Sequence, residues 1–196
     1  MNMRSMFVSC LLAVFVSTPV LAADPSEVPE KKRSKADLYL TSVEAADMLR
    51  DNSVVLLDVR SRPEVTFVGI ASRVNVHIPF MVLPQTAHYD PAAKGYPLEM
   101  NSSFEFDFMD YAEAMELSEE TPIVIMCRSG SRSAKAANIL YDLGYTNVYS
   151  VVDGFEGDKA ADGPEKGHRM VNGWKNAGLA WTYEISTEQA YPLDRD

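Results

Sequence analysis

The residues best suited to covalent chemistry lie in one run, Cys127-Arg128-Ser129-Gly130-Ser131-Arg132-Ser133, directly after the apolar stretch 123–126. Downstream, Ala136, Ala137, Leu140 and Leu143 recur at helical spacing, so the unit reads as strand, small-residue loop and helix. Three effects converge on the Cys127 sulfur in such a unit. The helix N-terminus offers unpaired N–H groups and about half a positive charge. A tight loop around Gly130 turns amides inward as an anion-binding nest. Arg128 and Arg132 add fixed positive charge, with Lys135 close behind. Such settings favour thiolate over thiol. A thiolate in an anion cradle suits a small anionic electrophile. Thiosulfate fits, with a transferable outer sulfur and a sulfonate end for guanidinium and N–H groups. Attack would release sulfite and leave Cys127 as a persulfide, from which a thiol or cyanide would take the outer sulfur.

Each of these residues also has a plainer reading. A free cysteine can be an inert buried thiol. Arg128 and Arg132 can be solvated surface charges. Ser129, Ser131 and Ser133 can be loop formers or N-caps, with their amides mattering more than their hydroxyls. Gly130 can be a backbone requirement alone. Asp58, Arg60 and Glu64 read as an ion-pair and hydrogen-bond set that supports the site, not as reacting groups. His77, His88 and His168 have no metal-ligand spacing with one another or with Cys127, so no metal or other cofactor is implied. Trp174 and Trp181 read as packing anchors.

A sheet is needed to position the loop. Thr41 and Glu44 have capping-box spacing ahead of Val43, Ala46 and Leu49, which predicts a helix over 42–50. Apolar runs at 54–59, 123–126 and 148–152 predict strands buried on both faces, and Val74, Val76 and Ile78 alternate within a further short one. Ser102 and Glu105 repeat the capping-box spacing before the face formed by Phe104, Phe108, Tyr111, Ala112 and Met115. A helix over 133–143 follows the reactive loop, with Gly144 at its C′ position. Residues 84–103, with Pro84, Pro91, Gly95 and Pro97, predict a long loop. Strands alternating with short helices predict an α/β fold, a central parallel sheet with helices on both faces. Ligands of such sheets bind beyond the carboxyl ends of the strands, which places Cys127 at the mouth of the sheet.

With 46% hydrophobic and 23% charged residues, the 196-residue chain can bury one ordinary core. Its net charge of −10 argues against a general nucleic-acid partner. Arg4, the apolar run 7–16 and the residues Val20, Leu21 and Ala22 have the layout of a secretory signal peptide over 1–22, cleaved before Ala23. The alternative, an uncleaved anchor, would have to span a bilayer with a short apolar run. A periplasmic or secreted protein without a membrane span after cleavage is expected. Cleavage removes Cys10 and leaves Cys127 unpaired, a liability in an oxidising compartment unless it does chemistry. Residues 23–37, with Pro25, Pro29, Lys31, Lys32 and Arg33, are expected to form a flexible lead-in.

The loop 127–133 resembles the active-site loop of the rhodanese family of sulfurtransferases. Leu57-Asp58-Val59-Arg60 with Glu64 resembles the family's Asp-Val-Arg…Glu signature. Val74-Asn75-Val76-His77-Ile78-Pro79-Phe80 resembles its Ala-x-Asn-Ile-Pro region, and Val152-Asp153-Gly154-Phe155-Glu156-Gly157 the segment that closes the site. Gly173-Trp174 and Gly178-Leu179-Ala180-Trp181 resemble the tail of exported single-domain members. The resemblance covers roughly 38–183 and implies one rhodanese-like domain there, followed by a C-terminal tail over 184–196. It implies Cys127 as nucleophile, residues 128–133 as the donor-binding loop, Asp58 and Arg60 as support, and no cofactor. Its implied partners are a small anionic sulfur donor and a thiol acceptor. Gly69-Ile70-Ala71-Ser72-Arg73-Val74 departs from the family's Gly-His-Ile-x-Gly-Ala stretch, and 84–103 and 157–172 are insertions. These bear on the donor, open among thiosulfate, 3-mercaptopyruvate, polysulfide and protein persulfides. The resemblance implies thiosulfate where the loop carries arginine, as it does at Arg128.

Two other functions use a similar loop. Cysteine-dependent phosphatases and arsenate reductases place one residue more between Cys and Arg than the four separating Cys127 from Arg132, and a shorter loop makes a smaller cradle. A non-turnover sulfur carrier or persulfide-binding module would use the same loop without catalysis.

Overall fold

The computed structural model describes residues 24–194. The expected signal peptide, with Arg4 and Cys10, lies outside the described residues. In chain order the elements are β1 (Tyr39–Leu40), α1 (Ser42–Met48), β2 (Val55–Asp58), α2 (Arg62–Val68), β3 (Ile70–Ala71) and β4 (Val76–His77). Then come β5 (Met81–Val82), β6 (Glu99–Met100), α3 (Phe104–Ala114), β7 (Ile123–Met126), α4 (Ser131–Asp142), β8 (Val148–Val151) and β9 (Trp181–Thr182). The central sheet has five strands in the order β1-β8-β7-β2-β4, and every neighbouring pair is parallel. Two small antiparallel pairs, β3 with β9 and β5 with β6, flank it.

The period-two alternation of buried strands divides the core into two layers. Leu57 of β2 and Ile123 and Ile125 of β7 face α3 and α4, packing with Phe104, Phe108, Ala136 and Leu140. Leu56, Val124 and Met126 face the other way, with Ala45 of α1 and Val65 of α2. Helices therefore cover both faces of a parallel sheet, as the strand and helix pattern predicts. The Thr41–Glu44 capping box forms, and Gly144 (φ 105°) follows the C-cap of α4.

Several elements differ from the sequence expectation. Helix α2 is unanticipated, although Ser61 and Glu64 form a capping box at its start. The expected box at Ser102 and Glu105 does not form. Asn101 builds a local turn instead, accepting from Ser103 N through its side chain and Phe104 N through its carbonyl, so Ser103 becomes the N-cap. Met115 leaves the expected apolar face because α3 ends at Ala114, and it is exposed. The 84–103 loop contributes β6 to a hairpin with β5. Residues 24–37 are docked, not free. Val28 and Lys32 are buried, Lys32 reaches Asp158 at 2.8 Å, and Lys35 N donates to Asn138 of α4.

The segment 184–194 is a strap across the sheet edge. His77 N of the edge strand β4 donates to Gln189 O at 2.8 Å, which satisfies a backbone group that an edge strand would leave open. Arg62 pairs with Asp194 and lies over the Tyr191 ring. The Tyr191 hydroxyl donates to the buried Asp107 carboxylate of α3. Burial, with Asp107 beside it, pushes the Tyr191 hydroxyl up to about 12. Tyr191→Phe leaves that carboxylate oxygen only the long contact from Asn101 Nδ2 at 3.4 Å and is expected to cost about 1–3 kcal/mol. Urea unfolding at pH 7 checks this, and an unchanged midpoint would rule out a stabilising role for the strap contact.

Candidate active site

Cys127 is the first residue past β7 and continues the alternation of Ile123 and Ile125, so its side chain turns toward the α4 side of the sheet. Helix α4 begins four positions later, and its first-turn amides have no carbonyl of their own helix to bond. Gly130 N donates to the Cys127 sulfur at 3.2 Å. Ser133 Oγ lies 3.7 Å from the sulfur but donates to Gly130 O at 2.9 Å and accepts from Ser150 Oγ at 3.0 Å. Its hydroxyl is thus committed to holding the loop, and the amide is the donor aimed at the sulfur. Ser129 and Ser131 are half-buried at the loop surface.

Two glycines let the loop close. Gly130 has φ 99°, and a Cβ there would lie 2.2 Å from Val152 O. Gly154 has φ 63°, and a Cβ there would meet Cys127 O at 2.5 Å. Residues 152–157 therefore lie backbone-to-backbone on the reactive loop, with Phe155 N donating to Cys127 O and Glu156 N to Arg128 O. This covering segment corrects the expected open position of the sulfur: Cys127 is 1% exposed and sits beneath the loop.

The covering segment is itself anchored. Asp153 accepts from Ser42 N and Oγ and from Gly173 N, although burial pushes its carboxyl up. Asp58 and Arg60 form a fully buried pair at 2.6 Å, and the Arg60 guanidinium stacks 3.9 Å from the Phe155 ring. That stacking connects the pair to the segment over Cys127, away from the sulfur itself. His77 is buried with Nε2 2.6 Å from Arg60 O, and burial pushes its ring down. Trp174 is buried and donates to Ala180 O, a packing role.

The two loop arginines differ. Arg128 is exposed at the rim. Arg132, expected on the donor anion, instead makes a two-pronged pair with Glu64 at 2.5 and 2.7 Å, and both side chains are largely buried. Glu64 also accepts from Ser61 N and Oγ, so one carboxylate caps α2 and fixes α4. The charge of Arg132 is thereby matched inside the protein. A third guanidinium, Arg169, enters from the 157–172 insertion, donating to Gly157 O at 2.6 Å. No local pattern marks it in the sequence; it is one cation in a polar stretch.

Residues 41–161 match the family model described as Rhodanese-like domain. The chain belongs to the rhodanese-like domain family. An uncharacterized protein of Rickettsia prowazekii is 31% identical over 147 residues, covering 74% of this chain and 96% of that protein. The thiosulfate sulfurtransferase GlpE of Actinobacillus succinogenes is 31% identical over 126 residues, covering 64% of this chain and 86% of GlpE. Among solved structures, Rv0390 from M. tuberculosis superposes with a TM-score of 0.54 at 31% identity, covering 74% of this chain and 97% of that one. Family membership, with a sulfurtransferase among the relatives, supports a role in sulfur transfer.

The rhodanese-like site leaves an acid-sensitive signature. Burial alone would raise the Glu64 carboxyl, but Arg132 and the Ser61 donors overcome it and hold the group down at about 2. A carboxyl held lower in the folded than in the unfolded chain stabilises the fold above its unfolded value and ceases to as acid protonates it. The pair therefore contributes fully above about pH 4.5 and progressively less toward about pH 2. The shift corresponds to about 3 kcal/mol. Glu64→Gln is expected to lose about that much at pH 7, and the difference from the parent should shrink as the pH falls below 4. Urea titrations across that range check it; a constant difference would exclude the ion pair as the source.

Proposed function

We propose that the protein is a sulfurtransferase that carries sulfane sulfur as a persulfide on Cys127, with thiosulfate as donor. The observation that carries this reading is the Gly130 amide aimed at the sulfur at 3.2 Å, at the N-terminus of α4. An amide donor and a helix N-terminus stabilise negative charge on that atom, whether thiolate or persulfide. The relationship to a thiosulfate sulfurtransferase supports the choice of donor.

In the first half-reaction the Cys127 thiolate attacks the outer sulfur of thiosulfate. The new S–S bond forms as the bond to the sulfonate sulfur breaks, and sulfite leaves with that electron pair. In the second, an acceptor thiolate attacks the outer sulfur of the persulfide and regenerates the Cys127 thiolate. Charge balances in both steps, and the two half-reactions give ping-pong kinetics. The proposed setting is the periplasm or the extracellular space, where the acceptor is a small or protein thiol.

One observation favours a second reading. Cys127 packs in the same buried cluster as Val59, Phe80 and Ala136, as an inert structural thiol would. The two readings part on reactivity. Incubation with thiosulfate followed by peptide mass spectrometry is expected to show one added sulfur on the Cys127 peptide. With excess thiol acceptor, sulfite should accumulate beyond one equivalent of protein; a single equivalent would indicate a carrier without turnover. Cys127→Ser should abolish both signals at a cost below about 2 kcal/mol in stability, since the hydroxyl keeps the Gly130 donor. An unmodified peptide with every donor tried would leave the structural thiol standing.

A further inference from the structure

The polar insertion is a folded unit. Ala160 N donates to His168 O, Gly167 N to Ala160 O, and Asp158 N to the Asn172 side chain. Asn176 Nδ2 lies within hydrogen-bonding distance of Glu156 O, Arg169 O and Asn172 O, at 2.8–3.0 Å. These contacts fix the Arg169 backbone against the segment that covers Cys127. Its side chain then returns to that segment, donating to Gly157 O, while Gly157 N donates to Arg128 O. Two hydrogen bonds separate the Arg169 guanidinium from the peptide of the reactive loop.

Charge balance sets this arginine apart. Among the described residues, Arg132 is paired with Glu64, whereas neither Arg128 nor Arg169 lies in an ion pair. Asp158, the acid next to Gly157, is matched by Lys32. Burial and the neighbouring Arg128 charge both push the Arg169 guanidinium down, with Glu156, Asp158 and Cys127 opposing. Through Gly157 the Arg169 guanidinium is held against the backbone of Arg128; like charges so placed, opposed only in part by Glu156 and Asp158, become favourable around an anion. Arg169 is half-buried and lines an open hollow with Val68, Glu156, Lys175 and Asn176.

We propose that Arg169 is a specificity-determining residue of the active site, forming with Arg128 a two-guanidinium rim that holds the oxyanion end of the sulfur donor. This assignment rests on the sulfur-transfer reading for its biological donor. It moves the anion-binding role from Arg132 to a residue supplied by the insertion. The ligand class is a small dianion with one sulfonate-like end, and thiosulfate is the probe.

Arg169→Ala is expected to raise KM for thiosulfate about tenfold with a smaller change in kcat, the loss of one charge-assisted contact. Arg169→Lys keeps the positive charge and should recover most of the loss. Calorimetry of thiosulfate on Cys127→Ser protein, with and without Arg169→Ala, reads the same contact without turnover, and Kd should weaken about tenfold. An unchanged Kd overturns the proposal, as does a Lys variant as impaired as the Ala variant. If the unsubstituted protein never gains sulfur on Cys127 but Arg169→Ala still weakens thiosulfate binding, the sulfur-transfer reading falls and the anion rim stands.

Discussion

At the carboxyl end of the sheet two stretches of backbone meet with no side chain between them. Residues 127–130 leave β7, residues 152–157 leave β8, and Gly130 and Gly154 remove the Cβ atoms that would hold them apart. Hydrogen bonds from Phe155 N and Glu156 N then join the stretches directly. This contact turns the Gly130 amide onto the sulfur, buries Cys127, and brings Gly157 close enough to receive Arg169. A side chain at either glycine would force the stretches apart, and each of these consequences would fail together.

The rest of the molecule holds that contact in place. Ser42 at the start of α1 binds both the Asp153 carboxylate and Gly154 O. Arg60, itself fixed by Asp58, supports Phe155 from below. The Lys32 stem lies against Gly130, so the docked segment before β1 closes one side of the loop. Buried ion pairs are weak evidence for stability in themselves, but removing one partner leaves a costly unpaired charge. Asp58 with Arg60 thus fixes geometry whatever its net worth, and Glu64 with Arg132 fixes geometry besides its pH-dependent contribution.

In a chain of net charge −10, Arg128, Arg132 and Arg169 lie on or against the loop that carries one sulfur. Acidic surroundings would repel a small dianion at long range, and the guanidinium groups reverse the sign locally. The division of work among them follows from pairing. Arg132 ties α4 to α2 through Glu64 and shapes the loop, while among the described residues Arg128 and Arg169 lie in no ion pair.

The strand, loop and helix that carry Cys127 were legible in the sequence because they are local. An apolar run, a glycine-containing loop and a helical repeat fall within about twenty consecutive residues, and the parallel sheet follows from period and length alone. The Thr41–Glu44 cap and the C′ glycine of α4 rest on fixed spacings and formed as expected. Tertiary structure decided what depends on distant partners. Arg132 meets Glu64 across 68 positions, the strap meets β4 through His77 N and Gln189 O, and Arg169 reaches the segment over the loop only because the insertion folds back. Composition and periodicity report which face of an element is apolar. Which charge finds which countercharge is fixed only when chain closure brings separated segments within a few ångströms, where Coulomb and hydrogen-bond energies become large.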